Sequence, residues 1–285
     1  MREPHLVSFG EVLWDLFPDG ARFGGAPANF ACHAALLGGK VSMVSAVGDD
    51  ARGEEAIQIL SSFGVQTSYM QVVAELATGT VGVDTDAEGR PTYTIHDNAA
   101  WDSIIWNPEL EALIESADTV YFGTLCQRSQ LSQQTILHGL EVAKSHATPR
   151  ILDINLRVPF FDDSIIRQSL ENADLLKFSD EELTPILSAC GVTNSPDPLL
   201  AILEKYQLTA LVMTQGAKGA IYRSSTETVK HSGLPTAVVD TVGAGDAFTA
   251  AFALGRLEGL PVSNTLEQAC HTAAAVCAHP GAIPN

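Results

Sequence analysis

The sequence predicts an α/β protein: a doubly wound, mainly parallel sheet flanked by helices, with a small antiparallel β lid beside it. Three observations carry this expectation. Strand-like and helix-like segments alternate along most of the chain, which is the rhythm of a parallel sheet with crossover helices. The rhythm breaks once, at 78–95, where two alternating segments flank a short turn and read as a hairpin. The chain has 285 residues, 46% of them hydrophobic, enough to bury a sizeable core. We take residues 1–285 as a single domain, with the lid formed by about 12–24 and 78–100.

The elements follow in order. Leu6-Val7-Ser8-Phe9-Gly10 reads as a first strand. The Ala- and Leu-rich segment 28–37 reads as a helix that stops at Gly38-Gly39. Segment 41–47 reads as a strand, and 53–63 as a helix closed by Gly64. The hairpin comes next: Thr80-Val81-Gly82-Val83-Asp84, the turn Asp86-Ala87-Glu88-Gly89, then Arg90-Pro91-Thr92-Tyr93-Thr94-Ile95. Segment 15–23 can add a further strand or loop to it. The alternation then resumes, with strands at 119–122, 150–154, 175–178 and 210–214. Between them, 131–145, 164–172, 180–189 and 198–206 read as helices.

Charge narrows the function. Sixteen Lys and Arg stand against 34 Asp and Glu, a formal net charge of −18. Such a chain is repelled by nucleic-acid phosphates and anionic membrane surfaces. No apolar run approaches the ~18 residues of a transmembrane helix, and the first nine residues lack an export core. Cys32, Cys126, Cys190, Cys270 and Cys277 are scattered and odd in number. These features predict a cytoplasmic protein with buried thiols.

The densest chemical signal is Asp240-Thr241-Val242-Gly243-Ala244-Gly245-Asp246, followed by a small, apolar run at 247–254. The run reads as a helix. Gly243, Ala244 and Gly245 then stand at its N-terminus, where N–H groups and the dipole favour an anion. Asp246 stands beside that anion site as a base. An anion cradle next to a carboxylate is what phosphoryl transfer to a hydroxyl needs. The plain alternative is a glycine turn with a helix-capping Asp. No G-x-G-x-x-G opens the first helix, so a dinucleotide-dependent oxidoreductase lacks its fingerprint.

The segment resembles the C-terminal signature Asp-Thr-x-Gly-Ala-Gly-Asp of the ribokinase-like (PfkB) carbohydrate kinases. Gly24-Gly25-Ala26-Pro27-Ala28-Asn29 resembles that family's N-terminal Gly-Gly-x-x-x-Asn block. Order and separation fit as well, so the resemblance spans essentially the whole chain. It implies a ribokinase-like fold, MgATP as phosphoryl donor, a sugar as acceptor, and a β lid that in many members forms a dimer interface. It also implies roles for single residues. Asp15, Gly24, Gly25 and Asn29 would hold the sugar, with Asn98 just past the hairpin. Asp246 would be the base, with Gly243, Ala244 and Gly245 as the anion hole.

Asp153-Ile154-Asn155-Leu156-Arg157 resembles the Asp-x-Asn-x-Arg stretch of fructokinases. Arg157 has the fork geometry to bridge phosphate oxygens; its plain reading is a structural ion pair. Lys177 and Glu182 fall where the family carries Asn-x-x-Glu, with Glu182 implied on the Mg²⁺ shell through water. Ser179 replaces the usual Asn there. Thr214-Gln215-Gly216-Ala217-Lys218-Gly219 resembles the Thr-x-Gly-x-x-Gly loop at the nucleotide, so Thr214, Gly216 and Gly219 are implied there. The run 270–278 corresponds to the helix bordering adenine, with Cys270 where a polar residue is common. A packed terminal helix accounts for it equally well. The resemblance also implies a possible K⁺ site, for which Asp240 is the candidate.

Segments Phe122-Gly123-Thr124-Leu125-Cys126-Gln127-Arg128 and Asn98-Ala99-Ala100-Trp101-Asp102 look most like the fructokinase branch. Relatives acting on acidic sugars usually carry a Tyr and Arg pair in the lid. Here Ile95 and His96 stand nearby, and Arg90 is at the hairpin turn. The expectation is a kinase for a neutral sugar, foremost fructose, with ribose and other sugars of the family as alternatives. A non-catalytic relative that only binds is the remaining reading.

Overall fold

The computed structural model describes residues 3–85 and 91–284. Nine strands form one sheet in the order β13-β12-β11-β10-β9-β8-β1-β4-β5. Its parallel centre comprises β1 (His5–Phe9), β4 (Lys40–Gly48), β5 (Met70–Val73), β8 (Thr119–Phe122), β9 (Arg150–Asp153), β10 (Leu175–Ser179) and β11 (Ala210–Thr214). The antiparallel pair β12 (Ala220–Ser224) and β13 (Thr228–His231) extends one edge. From β1 the chain builds outward through β4 and β5, then returns to β1's other side at β8. The crevice between β1 and β8 is therefore the sheet's switch point, where open α/β sheets leave room for ligands.

Strand periodicity explains why helices cover both faces. Val7 and Phe9 of β1 enter one core while Leu6 enters the other. Val120 and Phe122 of β8 repeat this, with Tyr121 facing the opposite way. Strands with both faces apolar must be covered twice. One face carries α3 (Pro108–Glu115), α4 (Gln130–Ser145), α5 (Asp163–Glu171), α6 (Leu183–Cys190) and α7 (Pro198–Lys205). The other carries α1 (Ala26–Leu36), α2 (Ala51–Ser62), α8 (Ala244–Leu257) and α9 (Val262–Cys277). Phe30 of α1 stacks on Tyr121 at 3.9 Å between ring centroids, a close aromatic join of helix to sheet.

A second sheet has the order β3-β2-β6-β7, from β2 (Leu13–Phe17), β3 (Gly20–Gly24), β6 (Gly79–Thr85) and β7 (Pro91–Ile95). Two antiparallel hairpins meet through a parallel β2–β6 pair. The sequence-based hairpin at 78–95 is therefore present, and segment 15–23 supplies two strands. The turn Asp86–Gly89 and Arg90 lie outside the described residues. Several elements were not anticipated. β5 and β13 are short edge strands with half-exposed side chains, so they lack a clear apolar alternation. α3 did carry a signal: Asn107 accepts from Leu110 N and Pro108 opens the helix. Among the described residues, no helix is long and apolar enough to cross a membrane.

Asp50 joins three of these parts. Its Oδ1 accepts from Gly53 N at 2.8 Å, capping α2, and from Thr78 Oγ1 at 2.7 Å. Its Oδ2 accepts from Thr78 N at 2.8 Å, and Thr78 Oγ1 accepts from Gly48 N at the end of β4. These bonds fix the chain where it enters the second sheet. Replacing Asp50 by Ala removes a cap and two further hydrogen bonds. The expected cost is about 2 kcal/mol, to be read as a lower urea midpoint at unchanged slope.

Candidate active site

At the switch point, the C-terminal edge of the large sheet and the inner face of the second sheet enclose a cavity of about 520 Å³. Gly25, at the N-cap of α1, has φ 107°, and a Cβ there would lie 2.6 Å from the Glu11 carbonyl. Only glycine lets α1 start this close to the end of β1. That start places Asn29 in the cavity wall, 4% exposed, where its Nδ2 donates to Asp246 Oδ2 at 2.8 Å. Asn29 was expected at the sugar; its amide also holds the carboxylate of Asp246. Asp15 of β2 lines the opposite wall, and Gly24 leaves room for it, since a Cβ at 24 would stand 3.1 Å from Asp15 Oδ2.

The helix bearing Asp246 is set by glycine in a similar way. Gly243 is the N-cap of α8 with φ 79°, and a Cβ there would lie 2.4 Å from the Ala282 carbonyl. The C-terminal segment thus packs directly on the loop. Asp240 reinforces the contact, with Oδ1 accepting from Val242 N at 3.1 Å and Oδ2 from Gly281 N at 3.0 Å. His33 Nε2–H donates to the Ala282 carbonyl at 2.8 Å, and burial holds its imidazole below its ordinary pKa. Gly243 and Gly245 face the cavity. Ala244 departs from the expected anion hole: its N–H turns to the Thr241 carbonyl at 3.3 Å, because the left-handed Gly243 closes a tight turn.

Lys177 reaches the cavity from β10, and its Nζ would stand 3.0 Å from a Cβ at Gly245. It donates to Asp153 Oδ1 of β9 at 3.0 Å, and Thr249 of α8 donates to Asp153 Oδ2 at 3.0 Å. Burial alone would lower the Lys177 pKa. Asp153, Glu182 and Asp246 outweigh it and keep the ammonium charged. A helix N-terminus, a glycine and a cation thus converge where an anion would sit. Arg157 also lines the cavity and lowers the carboxyl pKa values of Asp246 and Asp15 from across it. Burial pushes Asp15 up to about 6 against Arg157 and Arg22. Burial likewise raises Asp246, while Asn29, Lys177 and Arg157 pull it back.

Other expected site residues lie elsewhere. Asn98 is exposed, in a left-handed turn with φ 57°, outside the cavity wall. Cys270 is buried with Leu266 and Phe248 in the core under α8 and α9, so it packs as a small hydrophobe. Thr214, Gly216 and Gly219 are also outside the wall. A Cβ at Gly219 would lie 2.0 Å from the His231 carbonyl, so that glycine admits a backbone crossing. Glu182 has both oxygens engaged: Oε1 accepts from Leu156 N at 2.7 Å, and Oε2 from Ser179 N at 2.7 Å and Oγ at 2.9 Å. It anchors the 155–157 loop, and Ser179 serves as its cap partner. Among the described residues no three His, Cys, Asp or Glu side chains cluster to hold a metal. Asp240 is committed to two backbone N–H groups in the same sense, and serves as a clamp.

The residue missed was Glu11, 2% exposed in the cavity wall just past Gly10 at the end of β1. Its position at a strand's C-terminal end was the available signal. Arg22 and Tyr93 of the second sheet also line the cavity.

The fold is shared with known proteins. The structure superposes on a fructokinase from Vibrio cholerae with bound fructose, ADP and calcium at TM-score 0.83 and 25% identity, covering 98% of this chain and 94% of that one. A fructokinase with bound ATP from Xylella fastidiosa shares the fold at TM-score 0.86 and 22% identity, covering 98% and 93%. A curated fructokinase from Klebsiella pneumoniae is 31% identical over 263 residues, 88% of this chain and 84% of that protein. Fold and likeness together define an enzyme of the carbohydrate-kinase class. Residues 17–285 match the pfkB family carbohydrate kinase pattern, and the chain belongs to that family.

The buried ion pair gives a direct test. Lys177→Met leaves Asp153 buried without its cation, which costs about 3–5 kcal/mol. Urea unfolding of that variant is expected to show a loss of this size.

Proposed function

We propose that the protein transfers the γ-phosphoryl group of MgATP to a primary hydroxyl of a neutral sugar, foremost fructose. The observation that carries this reading is Asp246 at the head of α8, held by Asn29 at 2.8 Å and flanked by Gly243, Gly245 and Lys177. A carboxylate that can take a proton stands beside groups that favour a multiply charged phosphate. The hydroxyl oxygen attacks the γ-phosphorus and its proton passes to Asp246. The bond to the bridging oxygen breaks, and ADP leaves. The N-terminus of α8, Lys177 and Arg157 stabilise charge on the transferred group.

The sugar end of the cavity lies under the second sheet, where Asp15 and Gly25 face it. Among the described residues, Glu11, Asp15, Asp240 and Asp246 line the cavity together with Arg22, Arg157 and Lys177. The second sheet works as the lid that keeps water from the nucleotide. The fructokinase names and the fructose in the Vibrio cholerae structure support fructose as the acceptor. Mg²⁺ enters with the nucleotide as part of the donor, and no step is assigned to Glu182 or to a K⁺ ion at Asp240. Thr214, Gly216 and Gly219 lie at the end of β11, the strand next to Lys177's, and suit the distal part of the nucleotide. The edge strands β3 and β7 make a homodimer through the lid part of this reading, and the five free cysteines suit a cytoplasmic setting.

Three outcomes are expected. Asp246→Asn keeps fold and sugar affinity and lowers kcat by about 10²–10⁴-fold; near-normal turnover would remove Asp246 from the base's role. The wild-type pH profile should agree. Protonated Asp246 cannot take a proton, so kcat/KM falls as pH drops, and the acid limb lies above the ordinary Asp value of about 4. In a panel of fructose, ribose, glucose, 2-keto-3-deoxygluconate and adenosine, ADP release is expected with fructose. Preferential turnover of the acidic sugar would contradict the neutral-sugar reading.

A further inference from the structure

Glu11 has no part in the chemistry above, yet it stands in the same cavity wall as Asp246 and Asn29. It follows β1 across Gly10 at the switch point, and its side chain is 2% exposed. Its Oε2 is buried without a hydrogen-bond partner. An orphaned carboxyl oxygen is costly in a folded protein. A purely structural carboxyl would be expected to be satisfied by the fold, as Glu182 is by three donors and Asp240 by two.

Charges of both signs act on it. Burial pushes the carboxyl up to about 7, and Asp246 pushes it the same way. Its own backbone N–H, Arg157 and Arg128 pull it down. Tyr121 of β8 and Cys126 of the turn that follows feel its charge, and burial keeps both protonated. Asp15 belongs to β2 of the second sheet. Glu11 comes from the large sheet instead: its carbonyl lies against Gly25 at the start of α1, one turn before the Asn29 that holds Asp246.

We propose that Glu11 is a further substrate-binding residue, whose Oε2 takes a hydrogen bond with a sugar hydroxyl at the Asp246 end of the cavity. The inference rests on the sugar-kinase reading above. Substrate binding satisfies the orphaned oxygen, and a sugar lacking that hydroxyl leaves it unpaired. Glu11 thereby sets specificity for a neutral polyol at a second point beside Asp15. A carboxylate accepts from a hydroxyl, and a carboxylic acid can also donate to one.

The test uses Glu11→Met, which keeps the side-chain length and removes both oxygens, with Glu11→Gln as a second variant. Steady-state kinetics with MgATP are measured for fructose and for each of its monodeoxy analogues. Glu11→Met is expected to raise KM for fructose about tenfold or more, with KM for ATP unchanged. Glu11→Gln should fall between it and wild type. One deoxy analogue should lose about tenfold on the wild-type enzyme and nothing further on Glu11→Met, which ties one hydroxyl to this side chain. Unchanged KM for fructose overturns the proposal. So does a penalty for every analogue that is the same in both proteins, or a joint change in kcat and both KM values with a lower Tm. If Glu11→Met does not fold, Glu11→Gln carries the same comparison. A wild-type enzyme that turns over no sugar overturns the kinase reading as well, which separates that failure from this one.

Discussion

The buried pair of Lys177 and Asp153, with Thr249 as third member, is the interaction on which the site depends. It joins β9, β10 and α8 in one contact. A charge taken out of water is tolerated only when paired and hydrogen-bonded. The geometry of the pair is therefore narrow, and α8 can dock on the sheet in few ways. Because Gly245 lies over the Lys177 ammonium, the same pair that fixes the helix also places a cation under its N-terminus. Stability and anion binding draw on one ammonium group.

Around that anchor, the cavity is assembled from segments far apart in sequence. Asn29 meets Asp246 across 217 residues, and His33 meets Ala282 across 249. Backbone approach makes these meetings possible. Gly25 brings α1 against the end of β1, and Gly243 brings the C-terminal segment against the head of α8. The two glycine-rich motifs are thus points where chain segments touch, as much as points where a ligand is approached. Several carboxyls share the cavity at raised pKa values. That is a destabilising arrangement, and active sites accept it where a base or a polar substrate requires it.

Much of the fold was legible because its signals are local. Strands such as Leu6-Val7-Ser8-Phe9 and Thr119-Val120-Tyr121-Phe122 are apolar on both faces, and only a covered parallel sheet uses such segments well. The hairpin at 78–95 was visible as alternation around a turn. Edge strands β5 and β13 were not, because half-exposed side chains carry little periodicity. In the site, Asp15, Asn29, Lys177 and Asp246 were found from motifs, and the structure gathers them in one cavity. Asn98 and Cys270 followed the same logic and fall outside it, one on the surface and one in the core. Spacing along the chain does not say which way a side chain points.

The sequence by itself determined the alternating α/β architecture, the hairpin that becomes the second sheet, and the two glycine motifs with Asp246 at the head of a helix. These depend on periodicity and on backbone freedom, both properties of a few consecutive residues. The tertiary structure decided the rest. It gave Glu182 and Asp240 to backbone amides, turned the Ala244 N–H inward, and paired Lys177 with Asp153. It also left Glu11 buried in the cavity wall with an unpartnered oxygen. Whether a polar side chain is satisfied by the protein or left for a substrate depends on which distant segment packs against it, and only the folded chain fixes that.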